Sequence, residues 1–208
     1  MYTIYTTPGT GGFTAEAMLE AGNASWLRVV FDTGKDEHKT AEYLAINPAG
    51  QVPALKLGNG EVMTESAAIC LYLSDAHPET GLAPQVGDDA RPAYLRWMTY
   101  MAATVYDADL RYYYSERYTT DAAGADAVKR RAIQQLDSAF AIVEARLTET
   151  SWMAGSKMSA ADIYLAMLAS WHPDVQALKS GCPKVAAVWN KVAAADFVQR
   201  ANDFHKLW

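Results

Sequence analysis

Asn47-Pro48-Ala49-Gly50-Gln51-Val52-Pro53-Ala54-Leu55, followed ten residues on by Glu65-Ser66, is the stretch on which the fold turns. It reads as a turn, a short loop and the start of a strand through Val52, Ala54, Leu55 and Leu57, with a proline where the strand begins. Proline donates no N–H, so it suits a strand's first residue, an edge or a turn, and only X–Pro bonds adopt cis at low cost. A cis Val52–Pro53 bond would turn the amide and carbonyl of Val52 outward, open to an extended peptide. Asn59-Gly60 is a hairpin signal into a second strand at Glu61-Val62-Met63. Thr64-Glu65-Ser66 then heads an apolar-periodic segment (Ala68, Ile69, Tyr72, Leu73) and marks a helix N-terminus. There a carboxylate can hold an ammonium, while a hydroxyl and backbone N–H groups hold a carboxylate.

A peptide-pairing edge beside an amino-acid clamp describes a pocket for glutathione. With these residues the chain resembles the cytosolic glutathione S-transferases, whose N-terminal domain carries this Val-Pro and Glu-Ser pair. The likeness runs nearly end to end. Tyr2 to Tyr5 is similar to the family's first strand, Thr6 to Gly12 to its active-site loop, Phe13 to Gly22 to its first helix and Trp26 to Asp32 to its second strand. The loop Tyr5-Thr6-Thr7-Pro8-Gly9-Thr10, Lys35 and the spacing to Gln51-Val52-Pro53 most resemble the bacterial beta class.

The resemblance implies an α/β domain joined to an all-α domain: a thioredoxin-like N-terminal domain at residues 1–80, a linker at 81–87, and an all-helical domain at 88–208. The residue pattern agrees. Strand-like and helix-like segments alternate over the first eighty or so residues, and a Gly/Pro-rich break runs from Pro78 to Gly87. Beyond it, Val128, Ala132, Ile133, Leu136, Phe140, Val143 and Leu147 make one apolar stripe on a long helix. Ser159-Ala160-Ala161-Asp162 has the form of a capping box, with Met158 and Ile163 placed as a hydrophobic staple. Gly155 to Ile163 resembles the family's second-domain capping motif, whose role is in folding.

Composition narrows the function classes. Of 208 residues, 50% are hydrophobic and 20% charged, ordinary for a globular protein. The net charge of −6 offers no basic stripe for nucleic acid. No apolar run approaches a membrane span, and Met1 to Ile4 lacks the regions of a secretory leader. Cys70 and Cys182 are too few for a disulfide framework, so a cytoplasmic location is expected. His38, His77, His172 and His205 are scattered without ligand spacing, so no metal is expected.

By resemblance, the function is conjugation of the glutathione thiolate to small apolar electrophiles, a detoxifying transferase activity. Glutathione is the co-substrate and no other cofactor is expected. Glu65 and Ser66 are placed on the γ-glutamyl group, the Val52 backbone before Pro53 on the cysteinyl group, Lys35 on the glycine carboxylate, and Gln51 as a further contact. Each has a plainer alternative: Glu65 and Ser66 as helix caps, Lys35 as a solvated cation, Pro53 as a loop proline. Thiol activation falls to Thr10 first and Tyr5 second. Thr10 stands where the beta class carries cysteine and can donate a hydrogen bond but form no mixed disulfide. Tyr5 ends the first strand, from which other classes present a phenol. The alternatives are a Thr10 that caps the first helix and a Tyr5 that packs in the core.

The electrophile side is assigned to Met98, Met101, Tyr106 and Tyr113. Tyr106 and Asp107 replace the histidine and lysine common in the beta class, which removes electrostatic help for a thiolate. A homodimer is expected. The rival functions are a non-catalytic glutathione-binding module and a glutathione-dependent isomerase or peroxidase, although the isomerase's Ser-Ser-Cys loop is absent.

Overall fold

The computed structural model describes residues Met1 to Trp208. Two compact units form, one from Met1–Gln85 with Ala194–Trp208, the other from Val86–Ala193. The last helix therefore packs with the first unit, although it lies in the helical half of the sequence.

The first unit is built on a four-stranded sheet of β1 (Tyr2–Thr6), β2 (Trp26–Val30), β3 (Ala54–Lys56) and β4 (Val62–Met63), in the order β2-β1-β3-β4. β2 runs parallel to β1, and β3 and β4 pair antiparallel. The parallel pair needs a crossover, supplied by α1 (Gly12–Ala21). α2 (Ala41–Leu44) is a single turn, and α3 (Ser66–Ala76) follows β4. Ile4 and Thr6 are buried on one face of β1, and Phe13, Met18, Leu19, Ile69, Cys70 and Leu73 of α1 and α3 complete this core. The third strand is shorter than its apolar run suggests, because pairing starts only after Pro53, which has no N–H to give. The hairpin turn closes with Gly60 N donating to Leu57 O (2.9 Å) and Asn59 Oδ1 accepting from Glu61 N (3.0 Å).

The second unit is helical. α4 (Arg91–Tyr100) continues through a π-helical turn at Met101–Tyr106 into α5 (Asp107–Tyr113). α6 (Ala125–Glu149) is the long helix, burying Ala132, Leu136, Ala139, Phe140, Val143 and Leu147 at three- and four-residue steps. α7 (Ala160–Ser170) is almost wholly buried, and α8 (Val175–Gly181) and α9 (Pro183–Ala193) follow. Asp162 at the start of α7 accepts from Ser159 N (2.8 Å), the Ser159 hydroxyl (2.9 Å) and Met153 N (2.8 Å). α10 (Asp196–His205) returns to the first unit, where Arg200 Nε donates to Glu20 on α1 (2.6 Å). No helix is long and apolar enough to cross a membrane.

Candidate active site

The sheet register decides what comes together. β3 pairs with β4 as Leu55↔Met63 and Lys56↔Val62, and with β1 as Tyr5↔Ala54 and Ile4↔Leu55. Continued past the paired residues, these registers set Val52–Pro53 abreast of Glu65–Ser66 on one side and of Thr6–Thr7 on the other. The strand directions put the C-terminal ends of β1 and β4 at this same end of the sheet. The N-termini of α1 and α3 therefore both open there. Two helix N-termini with their uncommitted N–H groups make such a sheet end favourable for anions.

The central peptide is held by its neighbours. The Val52–Pro53 bond is cis. Gln51 O accepts from the Tyr43 hydroxyl (2.6 Å) and from Asn47 Nδ2 (2.8 Å), and Gly50 O accepts from Lys39 Nζ (2.7 Å). Asn47 is buried, and its Oδ1 accepts from Ala49 N, so one side chain closes the whole turn. With the carbonyls of Gly50 and Gln51 engaged inward, Val52 lies just before the ladder and its backbone groups take no part in it.

Glu65 sits at φ +63°, in the left-handed region that a residue with a side chain seldom occupies. Its carbonyl accepts from Ile69 N (2.9 Å), starting α3, while its carboxylate stands in solvent. Ser66 next to it is buried as the first residue of the helix. A plain N-cap does not require that backbone conformation, since capping residues are ordinarily extended.

The loop before α1 is tightly closed. The Thr10 hydroxyl donates to Thr7 O (2.7 Å) and lies 3.4 Å from Thr6 Oγ1. Gly11, not Thr10, is the N-cap of α1, and no side chain caps that end. A Cβ on Gly12 would lie 2.0 Å from Thr6 Oγ1, so only glycine lets the helix begin so close to β1. Tyr5 points to the other sheet face, its ring 6.3 Å from Phe31 and 6.0 Å from Tyr43.

Lys35 is exposed and paired to Asp32 (2.9 Å), each raising or lowering the other's pKa in the direction that keeps both charged. Lys39, one turn further along the same polar run, is the lysine that reaches the Gly50–Val52 loop. Sequence reasoning missed it because a charge run does not disclose which cation turns inward. In the second unit Met98 and Met101 are fully buried. Tyr106 packs edge-on against Trp171 (5.2 Å), and the Tyr113 hydroxyl donates to Trp171 O (2.6 Å). Between those tyrosines lies Asp109, buried with both carboxylate oxygens unpaired, and burial pushes its pKa well up. Both cysteines are buried and unbridged, and desolvation pushes the Cys70 thiol up to about 12. No group of three His, Cys, Asp or Glu side chains could hold a metal.

Family models for the glutathione S-transferase N-terminal domain and C-terminal domain match residues 16–76 and 108–196. The uncharacterized GST-like protein YncG of Escherichia coli (strain K12) is 30% identical over 193 residues, 92% of each chain. The chain belongs to the glutathione S-transferase family. A glutathione transferase homologue from Sulfitobacter, solved with bound glutathione, superposes with a TM-score of 0.88 at 26% identity, over 98% of this chain and 97% of that one. A bacterial beta class glutathione S-transferase from Sphingomonas chungbukensis superposes with a TM-score of 0.85 at 26% identity, over 99% and 100% of the two chains. The thioredoxin-like domain followed by a helical domain is thus the architecture of this family.

Proposed function

We propose that this protein is a glutathione transferase that joins the sulfur of glutathione to small apolar electrophiles. The observation that carries the reading is the register that sets Val52–Pro53 abreast of Glu65–Ser66 and of the loop before α1. The Val52 backbone pairs with the cysteinyl residue of glutathione. The Glu65 carboxylate takes its α-ammonium, and Ser66 with the first N–H groups of α3 takes the γ-glutamyl carboxylate. Lys39, beside Gly50, and Lys35 are the cations available to the glycine carboxylate, with Gln51 at the rim.

The sulfur then lies at the start of α1. A thiol with a pKa near ~8.5 is only a few per cent ionised at neutral pH, and lowering it by ~2 units takes about 2.7 kcal/mol of selective thiolate stabilisation. The N-terminus of α1 and one hydroxyl can supply that order of magnitude. The backbone N–H groups of Gly11 and Gly12 do so without rearrangement. The Thr10 hydroxyl does so after rotating away from Thr7 O. The thiol proton leaves to water, the thiolate forms the new S–C bond, and the electrophile expels its leaving group or takes up a proton. Of the four side chains expected on the electrophile side, Met98 and Met101 are fully buried core residues of the helical unit and are withdrawn, which leaves Tyr106 and Tyr113 as its candidates. An isomerisation would use the same thiolate but would release glutathione unchanged.

The engagement of the Thr10 hydroxyl with Thr7 O favours one rival, a module that binds glutathione without activating it. Calorimetry with glutathione, combined with thiolate absorbance followed against pH, separates the two. The transferase reading expects binding with a bound-thiol pKa well below that of free glutathione. Tight binding with an unshifted pKa would establish the module. Glu65→Ala should weaken binding by roughly 2–4 kcal/mol, because the ligand's cation loses its partner. Unchanged affinity in a folded variant would remove the clamp.

A further inference from the structure

We infer that a buried charge cluster, Glu16–Arg28–His205, is the positioning element behind the thiol-activating end of α1, and that α10 completes it. This rests on the reading of the α1 N-terminus as the thiol site.

Glu16 is a fully buried carboxylate on α1, a helix buried over most of its length. Such a group persists only when paired. Arg28 on β2 supplies the pair: its Nε lies 3.0 and 3.1 Å from the two carboxylate oxygens and its Nη2 closes a second bond to Oε2 at 2.5 Å. The guanidinium is half-buried, 3.9 Å from the Phe204 ring centre and 5.2 Å from that of Trp26. His205 places Nε2 3.3 Å from Glu16 Oε1, with its side chain fully buried and its ring edge-on to Phe13 (5.7 Å). Neither ring nitrogen makes a hydrogen bond, so the imidazole meets Glu16 as a close polar contact.

The cluster reaches the active-site loop directly. A Cβ on Gly12 would lie 3.5 Å from His205 Cε1, and one on Gly9 4.0 Å from His205 O. The imidazole thus lies directly behind the first residue of α1, and Glu16 is one helical turn further along. The N-terminus of α1 attracts an anion with roughly half a positive charge. A full negative charge about 6 Å along the same axis would offset that attraction in a water-excluded interior. Arg28 cancels it. The other charged or titratable groups around the cluster are Glu20 on α1, Arg200 on α10, paired with Glu20, and the Cys70 thiol on α3 beside Thr14.

The test uses a reporter that needs no glutathione. In the full-length chain with Thr10→Cys, the rate of alkylation against pH measures the pKa of the introduced thiol at the α1 N-terminus. Adding Arg28→Met leaves Glu16 unpaired and should raise that pKa by about one unit, roughly tenfold less thiolate at neutral pH. Adding Glu16→Gln to that background should return it close to the parent value. His205→Phe keeps a ring against Phe13, removes the nitrogen facing Glu16, and should move the pKa the same way by less. Should Arg28→Met not fold, Arg28→Lys keeps the charge, loses the fork, and should give a smaller rise. A purely structural cluster would lower the melting temperature in these variants and leave the reporter pKa unchanged, which would overturn the inference. If the native chain binds no glutathione, the functional reading falls while the reporter still decides the cluster. If glutathione binds and the reporter does not move, the cluster assignment falls alone.

Discussion

Thr10 and Tyr5, five residues apart, divide the question of activation from that of binding. Thr10 lies in the loop that opens α1, with its hydroxyl 2.7 Å from Thr7 O, whereas the Tyr5 ring packs among Phe31 and Tyr43 on the opposite sheet face. If the Thr10 hydroxyl turns to the sulfur of bound glutathione, Thr10→Val should leave affinity nearly intact. It should raise the bound-thiol pKa by one to two units, the equivalent of about 1.5–3 kcal/mol for one hydrogen bond to an anion. Conjugation at neutral pH should fall roughly tenfold and partly recover as pH rises. Tyr5→Phe should have the smaller effect. The reverse ranking, measured by thiolate absorbance and initial rates, would give the role to the phenol. A third outcome, little change in either variant, would leave the N–H groups of Gly11 and Gly12 as the activating donors. The lysines teach a similar lesson. Lys35 and Lys39 are alike in sequence, yet Lys35 pairs with Asp32 in solvent while Lys39 reaches Gly50 O.

Among the elements, α7 depends most on one side chain. Asp162 gathers three donors from Met153 and Ser159, closing the chain before the helix onto its first turn. Burial outweighs those bonds and pushes its pKa up to about 6. Because the folded value lies above the ordinary 3.8, the folded chain takes up this proton first. The stabilising contribution is therefore complete below about 3.8 and is lost as pH rises through about 6. Asp162→Asn puts an amide where two donors converge and should cost about 2 kcal/mol or more at neutral pH. In denaturant melts, the gap between wild type and Asp162→Asn should widen as the solution is acidified from neutral toward about 4. A constant or narrowing gap would show that the carboxyl is not raised. The strands behave differently, since each is trimmed by its own chemistry. β3 waits for Ala54 because Pro53 has no N–H, and β4 is only Val62–Met63 before Glu65 bends away.

At the scale of the whole molecule, the helical unit leaves Leu95, Tyr113, Tyr114 and Ile142 exposed. A second copy would remove such apolar surface from water, and the chain is expected to be a homodimer. Sedimentation at micromolar concentration should show the dimer, and a monomer alone would count decisively against it. Local patterns determined much of this protein from sequence: the Asn59-Gly60 hairpin, the α6 stripe, the Ser159–Asp162 box and the Val52–Pro53, Glu65–Ser66 pair. Each of these acts over a few residues, so its physics is complete in a short window of chain. The same windows were silent on the final helix. Glu16 is one of two carboxylates in the α1 segment, and nothing local distinguishes it, since its partners are 12 residues away on β2 and at His205 on α10. Which cation and which ring meet a buried carboxylate is settled by packing, because the cost of burying it is met only where the folded chain brings them to it. For that reason α10, helical in pattern like its neighbours, belongs to the first unit. The strand pairings likewise set Val52–Pro53 between Thr6–Thr7 and Glu65–Ser66, since register is a property of strands already packed on a common core.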